Sequence, residues 1–144
     1  MSIYLDSSAL VKLALDEPGA EQFWELVSTH SLVTSRVTWV ESRVALARRE
    51  REAPLHAELW QLLRQDLERI WRKIRVIELT PSVALLAGDC AEAFALRGYH
   101  AVQMASAQAA RSAAQGDWLF LRFDRRLNTA ASMLGLALPQ WKQT

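Results

Sequence analysis

The stretch that decides the fold is IYLDSSALVK, which runs from Ile3 to Lys12. Three apolar residues end at Asp6, two serines follow, and an apolar segment with helical character begins at Ala9. A short strand that leads directly into a helix is typical of the βα units of a parallel sheet. We expect either Ser7 or Ser8 to cap that helix. Asp6 would then stand at the carboxyl end of a strand.

The rest of the chain repeats this alternation of short apolar runs and helical periodicity. Further strands are predicted at 32–34, 76–79 and 118–121, with a candidate fifth strand at 136–138. Further helices are predicted at 20–28, 37–52, 55–73, from 80 to a C-terminal glycine at Gly98, at 101–114 and at 126–134. Strands separated by helices predict a three-layer α/β/α fold around a central parallel sheet of four to five strands. The 144 residues suit a single domain that spans 1–144.

The composition narrows the class of protein. A hydrophobic fraction of 51% supports a buried core, and a net charge of +1 excludes a uniformly basic nucleic-acid binder, so contact with phosphate would need a local patch. The single cysteine, Cys90, excludes an internal disulfide and fits a reducing cytoplasm. Because it falls in an apolar helical stretch, we expect it to be a small buried hydrophobe. The start of the chain lacks the pattern of a signal peptide, and no apolar stretch reaches the length of a membrane span.

Carboxylates follow two of the predicted strands. Asp6 and Asp124 each come directly after an apolar run, and the functional crevice of a parallel sheet lies beyond the carboxyl ends of its strands. Two acids there would lie close together, and Mg²⁺ or Mn²⁺ would relieve their repulsion and orient a water for attack on a phosphodiester. The alternative is that each acid is a helix N-terminal charge. Glu41, near the start of the helix predicted at 37–52, is either a third acid or a solvent-facing glutamate.

Four segments together resemble the motifs of PIN domains. They are residues 5–12, Glu41, residues 96–107 and residues 120–127, and they occur in the family's order over residues 3–127. The chain is most similar to VapC-type toxins, which are metal-dependent endoribonucleases that a VapB-type antitoxin neutralises. The resemblance therefore implies an RNA-cleaving toxin with an antitoxin partner, a homodimer and a cytoplasmic location.

The resemblance also assigns the site residues. It implies that Asp6, Glu41 and Asp124 hold Mg²⁺ (or Mn²⁺) and that His100 completes the catalytic set. It further implies that the Ser8 hydroxyl helps to hold the metal site, a role that is compatible with capping the helix.

Two residues depart from the family pattern. His100 stands where the family has an aspartate, and Arg122 stands where it has threonine or serine; Arg122 would share a strand face with Asp124 and is placed to pair with it. Three interpretations of His100 remain open: a ligand in a site that prefers Mn²⁺, a general acid or base, or the mark of a site that has lost activity. The runner-up function is therefore a PIN-fold module that binds RNA or protein without cleaving. DNA cleavage by the same site is a third possibility.

The chain also contains candidate contact surfaces. Arg43, Arg48, Arg49 and Arg51 alternate with acidic residues, which indicates either a solvated helix face or a contact with RNA or antitoxin. Arg125 and Arg126 follow Asp124 and are placed to meet the substrate phosphate. The predicted helix at 55–73 contains Trp60 and Trp71, which either dock an antitoxin helix or face the core.

Overall fold

The computed structural model describes residues 1–15, 20–54 and 56–121. Strands and helices alternate along this part of the chain. The strands are β1 (Ser2–Leu5), β2 (Ser31–Ser35), β3 (Arg75–Ile77) and β4 (Trp118–Leu121). The helices are α1 (Ser7–Ala14), α2 (Ala20–Ser28), α3 (Val37–Glu52), α4 (Ala57–Trp71), α5 (Pro81–Phe94) and α6 (Gly98–Ala113). The helix predicted at 126–134 and the strand predicted at 136–138 lie outside the described residues.

The four described strands form one sheet in the order β3-β2-β1-β4, and every neighbouring pair is parallel. Leu5 at the end of β1 is paired with Leu121, and Tyr4 is paired with Val33. The chain winds from β1 to β2 and β3 on one side and then returns to β4 on the other. The winding direction therefore changes beside β1, and a ligand crevice is expected beyond the carboxyl end of that strand.

The alternation of side chains along β1 divides the core into two layers. Ile3 and Leu5 pack into a cluster with residues of α1, α2 and α4, whereas Tyr4 packs into a second cluster with residues of α5 and α6. A strand that is buried on both faces belongs to the middle layer of a three-layer fold. The predicted three-layer α/β/α fold is confirmed. Cys90 lies in the second cluster, as expected for a small buried hydrophobe.

Two predicted helix ends are wrong. The N-cap of α1 is Asp6 rather than Ser7 or Ser8, because the Asp6 carboxylate reaches the Ala9 amide. The helix expected to end at Gly98 ends at Phe94, and Gly98 begins α6 instead. The residue that turns the chain is Ala95, with a left-handed φ of 51°. That conformation costs a non-glycine residue about 1 kcal/mol or more, and the burial of the following residue, Leu96, offsets it.

No helix of the described residues is both long enough and apolar enough to cross a membrane.

Candidate active site

Asp6 lies at the junction of β1 and α1 and is only 3% exposed. Its Oδ1 accepts hydrogen bonds from the Ala9 amide at 3.0 Å and from the Ser8 hydroxyl at 2.6 Å. A buried carboxylate needs such donors to compensate for lost hydration, and the N-terminus of a helix adds a favourable field. Asp6 is thus a helix-capping charge, and the same bonds hold a carboxylate at the end of β1 where the crevice is expected.

Glu41 lies in α3 and is half-buried. Its Oε1 accepts a hydrogen bond of 2.8 Å from Nε2 of Gln103 in α6. The bond joins helices on the two sides of the sheet. It turns the Glu41 carboxylate inward, toward the end of β1.

The buried phenol of Tyr4 shows that the two carboxylates share one neighbourhood. Burial raises the pKa of Tyr4 well above 10.0, and the negative charges of Asp6 and, more weakly, Glu41 raise it further. Ser8, which donates to Asp6, also lines the same groove as Glu41. Asp6, through its bond from Ser8, and Glu41 therefore border the same groove near the carboxyl end of β1.

His100 lies in the first turn of α6, is half-buried and lines a cleft together with Glu41. Within the described ranges, however, no three side chains of His, Cys, Asp or Glu type come close enough to hold a metal ion. Asp6, Glu41 and His100 do not form such a set by themselves. Asp124, the third predicted acid, lies outside the described residues, as do Arg122, Arg125 and Arg126.

A groove between α1 and α3 leads away from Glu41. Val40, Val44 and Tyr99 are exposed apolar side chains along it, and Lys12, Arg48 and Arg49 also line it. The sequence identified the two arginines but not Lys12, whose signal was its position one helical turn after Ser8 on the same face. The groove combines apolar walls with positive charge next to a carboxylate.

Arg43 of the basic stretch and the two tryptophans of α4 make structural contacts. Arg43 lies 3.6 Å from the Glu68 carboxylate and covers the ring of Trp39, so it ties α3 to α4. Trp60 is buried and donates from Nε1 to the Ala53 carbonyl at 2.8 Å, so the docking role proposed for it is wrong. Trp71 is half-buried against Trp39, with ring centroids 5.3 Å apart. The core interpretation of these tryptophans is confirmed.

Sequence reasoning missed the polar residues that support Glu41. Gln103 is buried in α6 and bonds Tyr4, Thr38 and Glu41. The available signal was an amide side chain within an alanine-rich apolar helix, one turn after His100. A buried amide needs partners on both its donor and acceptor ends, and here they come from β1 and α3.

The chain matches the family model of the PIN domain over residues 3–132. It belongs to the PIN domain family. Two curated relatives of this PIN domain are ribonuclease VapC45 and ribonuclease VapC49, from two strains of Mycobacterium tuberculosis. Each is 37% identical over 138 residues, which cover 92% of this chain and 91% of the relative.

Solved structures with the same fold include proteins of toxin–antitoxin systems. One is the structure of VapBC2 from Rickettsia felis bound to a DNA fragment from its promoter. It has a TM-score of 0.68 at 10% identity, and the match covers 99% of this chain and 100% of that chain. PAE2754 from Pyrobaculum aerophilum has a TM-score of 0.66 at 18% identity, with 96% and 92% covered. A toxin–antitoxin complex from Klebsiella pneumoniae has a TM-score of 0.54 at 19% identity, with 81% and 83% covered. At these identities the likeness concerns the fold.

Proposed function

We propose that this PIN domain is a metal-dependent endoribonuclease and the toxin of a VapBC-type toxin–antitoxin pair. One observation carries the proposal: Ser8, which donates to Asp6, lines the same groove as Glu41 in a chain that is 37% identical to two VapC ribonucleases. A pair of carboxylates at the crevice of a parallel sheet suits phosphodiester hydrolysis because it would hold a divalent cation, which stabilises the negative charge that develops on the phosphate oxygens.

The residues present fit a divalent cation with oxygen ligands. Asp6, Glu41 and Asp124 would hold it, and His100, beside Glu41, favours Mn²⁺ over Mg²⁺ because imidazole is a poor ligand for Mg²⁺. When bound, the cation would supply an activated water and neutralise charge on the phosphate. Its identity as Mg²⁺ or Mn²⁺ is part of the proposal.

The chain's own groups would orient the reactants. The Ser8 hydroxyl and the Ala9 amide hold the Asp6 carboxylate in place. Lys12 and Arg49 line the groove that continues from Glu41 and would attract the phosphates of an RNA strand. We propose the same role for Arg125 and Arg126.

The decisive test is RNA cleavage by Asp6→Asn. Asparagine keeps an oxygen that caps α1 but removes the charge, so we expect a folded protein that cleaves RNA at least 100-fold more slowly and no longer arrests growth. Asp66→Asn is the matched control, because Asp66 is bonded to Arg69 on the surface of α4 and should leave cleavage unchanged. Full RNA cleavage by purified Asp6→Asn would refute the proposal that this site is a nuclease.

The metal is tested by calorimetry with Mg²⁺ and Mn²⁺ on the wild type and on His100→Asp. We expect the wild type to bind Mn²⁺ more tightly and His100→Asp to shift the preference toward Mg²⁺, since the variant restores an oxygen ligand. If the wild type binds neither ion and His100→Asp binds Mg²⁺, the protein has lost the metal site and with it the nuclease activity.

The second candidate is a PIN-fold module that binds RNA or a protein without cleaving. His100 favours it, because it replaces an acid of the family pattern. This candidate predicts RNA binding that does not depend on divalent cations and no cleavage products under any metal. A cleavage assay with Mg²⁺ and Mn²⁺ alongside a binding assay in EDTA separates the two.

We also propose a VapB-like antitoxin partner, a homodimer and a cytoplasmic location. Support for the antitoxin comes from the fold neighbours that are toxin–antitoxin complexes and from the groove beside Glu41, where Val40, Val44 and Tyr99 are exposed. Co-expression with a short reading frame next to the gene, followed by co-purification and light scattering, tests the antitoxin partner and the homodimer, and fractionation of cells tests the location. A monomer that captures no adjacent product would contradict this part of the proposal.

A further inference from the structure

A chain of hydrogen bonds runs through the buried layer behind Glu41. The Tyr4 hydroxyl donates to Oε1 of Gln103 at 2.6 Å. Nε2 of Gln103 donates to Glu41 Oε1 and to Thr38 Oγ1, both at 2.8 Å. The hydroxyls of Thr38 and Thr34 are 2.8 Å apart, and Thr34 Oγ1 lies 2.6 Å from the Leu5 carbonyl.

The protons of this chain can be placed in only one order. A carbonyl cannot donate, so the single proton of Thr34 goes to the Leu5 carbonyl. The Thr38 proton then goes to Thr34, which leaves the Thr38 oxygen as an acceptor for the Gln103 amide. At the other end, the Tyr4 hydroxyl carries one proton and donates it to Oε1 of Gln103.

This order fixes which way the Gln103 amide points. If the amide were reversed, its NH₂ group would meet the Tyr4 hydroxyl and its oxygen would meet the Glu41 carboxylate, where two acceptors repel. Tyr4, Thr34, Thr38 and Gln103 are all buried, with exposed fractions of 1% or less, so water cannot replace the lost bonds. The amide is thus locked with its donor toward Glu41.

The chain also joins the supports of the two acids. It connects β1, β2, α3 and α6, and it ends on the carbonyl of the residue that precedes Asp6. The position of Glu41 is therefore set relative to the strand that positions Asp6.

We infer that Gln103 is a positioning residue, which holds the Glu41 carboxylate in a fixed orientation beside Asp6 and is itself oriented by Tyr4 and Thr38. The inference rests on the proposed function only in assigning Glu41 its task in binding the cation and cleaving RNA. Residues that orient such ligands typically change metal affinity or activity by about 10- to 100-fold when they are replaced.

The test compares Gln103→Met with Gln108→Met. Both residues lie on α6, and Gln108 Oε1 is buried without a hydrogen-bond partner among the described residues. We expect Gln103→Met to lower Mn²⁺ affinity and the turnover of RNA by about 10- to 100-fold, with a smaller change in KM for RNA. Gln108→Met should leave both quantities unchanged. Tyr4→Phe, which removes the donor to Oε1 but leaves the bonds of Nε2 to Thr38 and Glu41, should lower both by less than Gln103→Met does.

A second readout does not depend on activity. In ¹⁵N-labelled protein, the side-chain amide signals of Gln103 are identified by their loss in Gln103→Met. We expect them to shift strongly in Glu41→Gln and on addition of Mg²⁺, and to exchange slowly with solvent, while the Gln108 signals stay in place. The measurement applies even if a Gln103 variant is too unstable to assay.

The outcomes are distinct. Gln103 signals that do not respond to Glu41→Gln would overturn the inference, and so would Gln103→Met with wild-type Mn²⁺ affinity. If the signals respond but wild type cleaves no RNA with either metal, the positioning role stands and the proposed nuclease function falls.

Discussion

Asp6 has two roles that two substitutions separate. Its Oδ1 caps α1 through the Ala9 amide and also accepts the Ser8 hydroxyl, while its negative charge serves the proposed reaction. In Asp6→Ala both bonds are lost: a lost N-cap costs about 1 kcal/mol, and the Ser8 bond adds about 0.5–1 kcal/mol because the half-buried hydroxyl finds only partial replacement in water. We therefore expect the free energy of unfolding to fall by about 1.5–2 kcal/mol, which corresponds to roughly 3–8 °C in Tm for a chain of this size.

In Asp6→Asn the amide oxygen can accept both bonds, so the cap of α1 is kept. We expect its free energy of unfolding to stay within about 0.5 kcal/mol of the wild type. Urea denaturation followed by circular dichroism measures both variants, and RNA cleavage is measured on the same preparations. We expect both Asp6→Ala and Asp6→Asn to be inactive but to differ in stability. Equal destabilisation of the two variants would refute the capping role, since the charge and not the cap would then stabilise α1.

Three further results are expected from packing and charge. Leu67 is fully buried, so Leu67→Ala should lower the free energy of unfolding by about 2–5 kcal/mol in urea denaturation. Leu62→Ala, on the exposed face of the same helix, should lower it by less than about 0.5 kcal/mol. Equal losses would contradict the described packing. The Arg36 guanidinium lowers the pKa of Glu78 below 4.5, so the pair stabilises the fold above that pH and the contribution is lost as pH falls through the lowered value. Glu78→Gln should therefore slightly flatten the acid side of the stability–pH curve, less so in high salt, and an unchanged curve at low salt would count against the pair. Burial raises the pKa of the Cys90 thiol, so a thiol reagent should react slowly with the folded protein and rapidly in denaturant, and rapid reaction in the native state would show that the thiol is accessible.

The layers of the fold and the place of the site follow from local sequence patterns. Short apolar runs bounded by helical periodicity predict parallel strands, and Asp6 is recognisable because it ends such a run at the point where a sheet forms its crevice. Glu41 needed the family resemblance, since a glutamate near a helix start is usually exposed. These features depend on residues close together in the sequence or on a pattern shared by related chains.

The support of the site depends on residues far apart in the sequence. Gln103 and Tyr4 are separated by 99 positions, and nothing local indicates which face of the alanine-rich α6 turns toward β1. The turn at Ala95 is missed for a related reason, because glycine is the residue that usually takes a left-handed φ and Gly98 stands nearby. In both cases tertiary packing decides against the local preference.

The donors described for the two carboxylates have a common property: they carry no charge. Asp6 accepts from a backbone amide and a hydroxyl, and Glu41 accepts from the amide of Gln103. Neutral donors orient an acid without cancelling its charge. Two oriented carboxylates suit the divalent cation that we propose, and His100 reduces the negative charge of the family's usual set by one. That reduction is the physical reason to expect weaker Mg²⁺ binding here than in a PIN domain with an aspartate at this position.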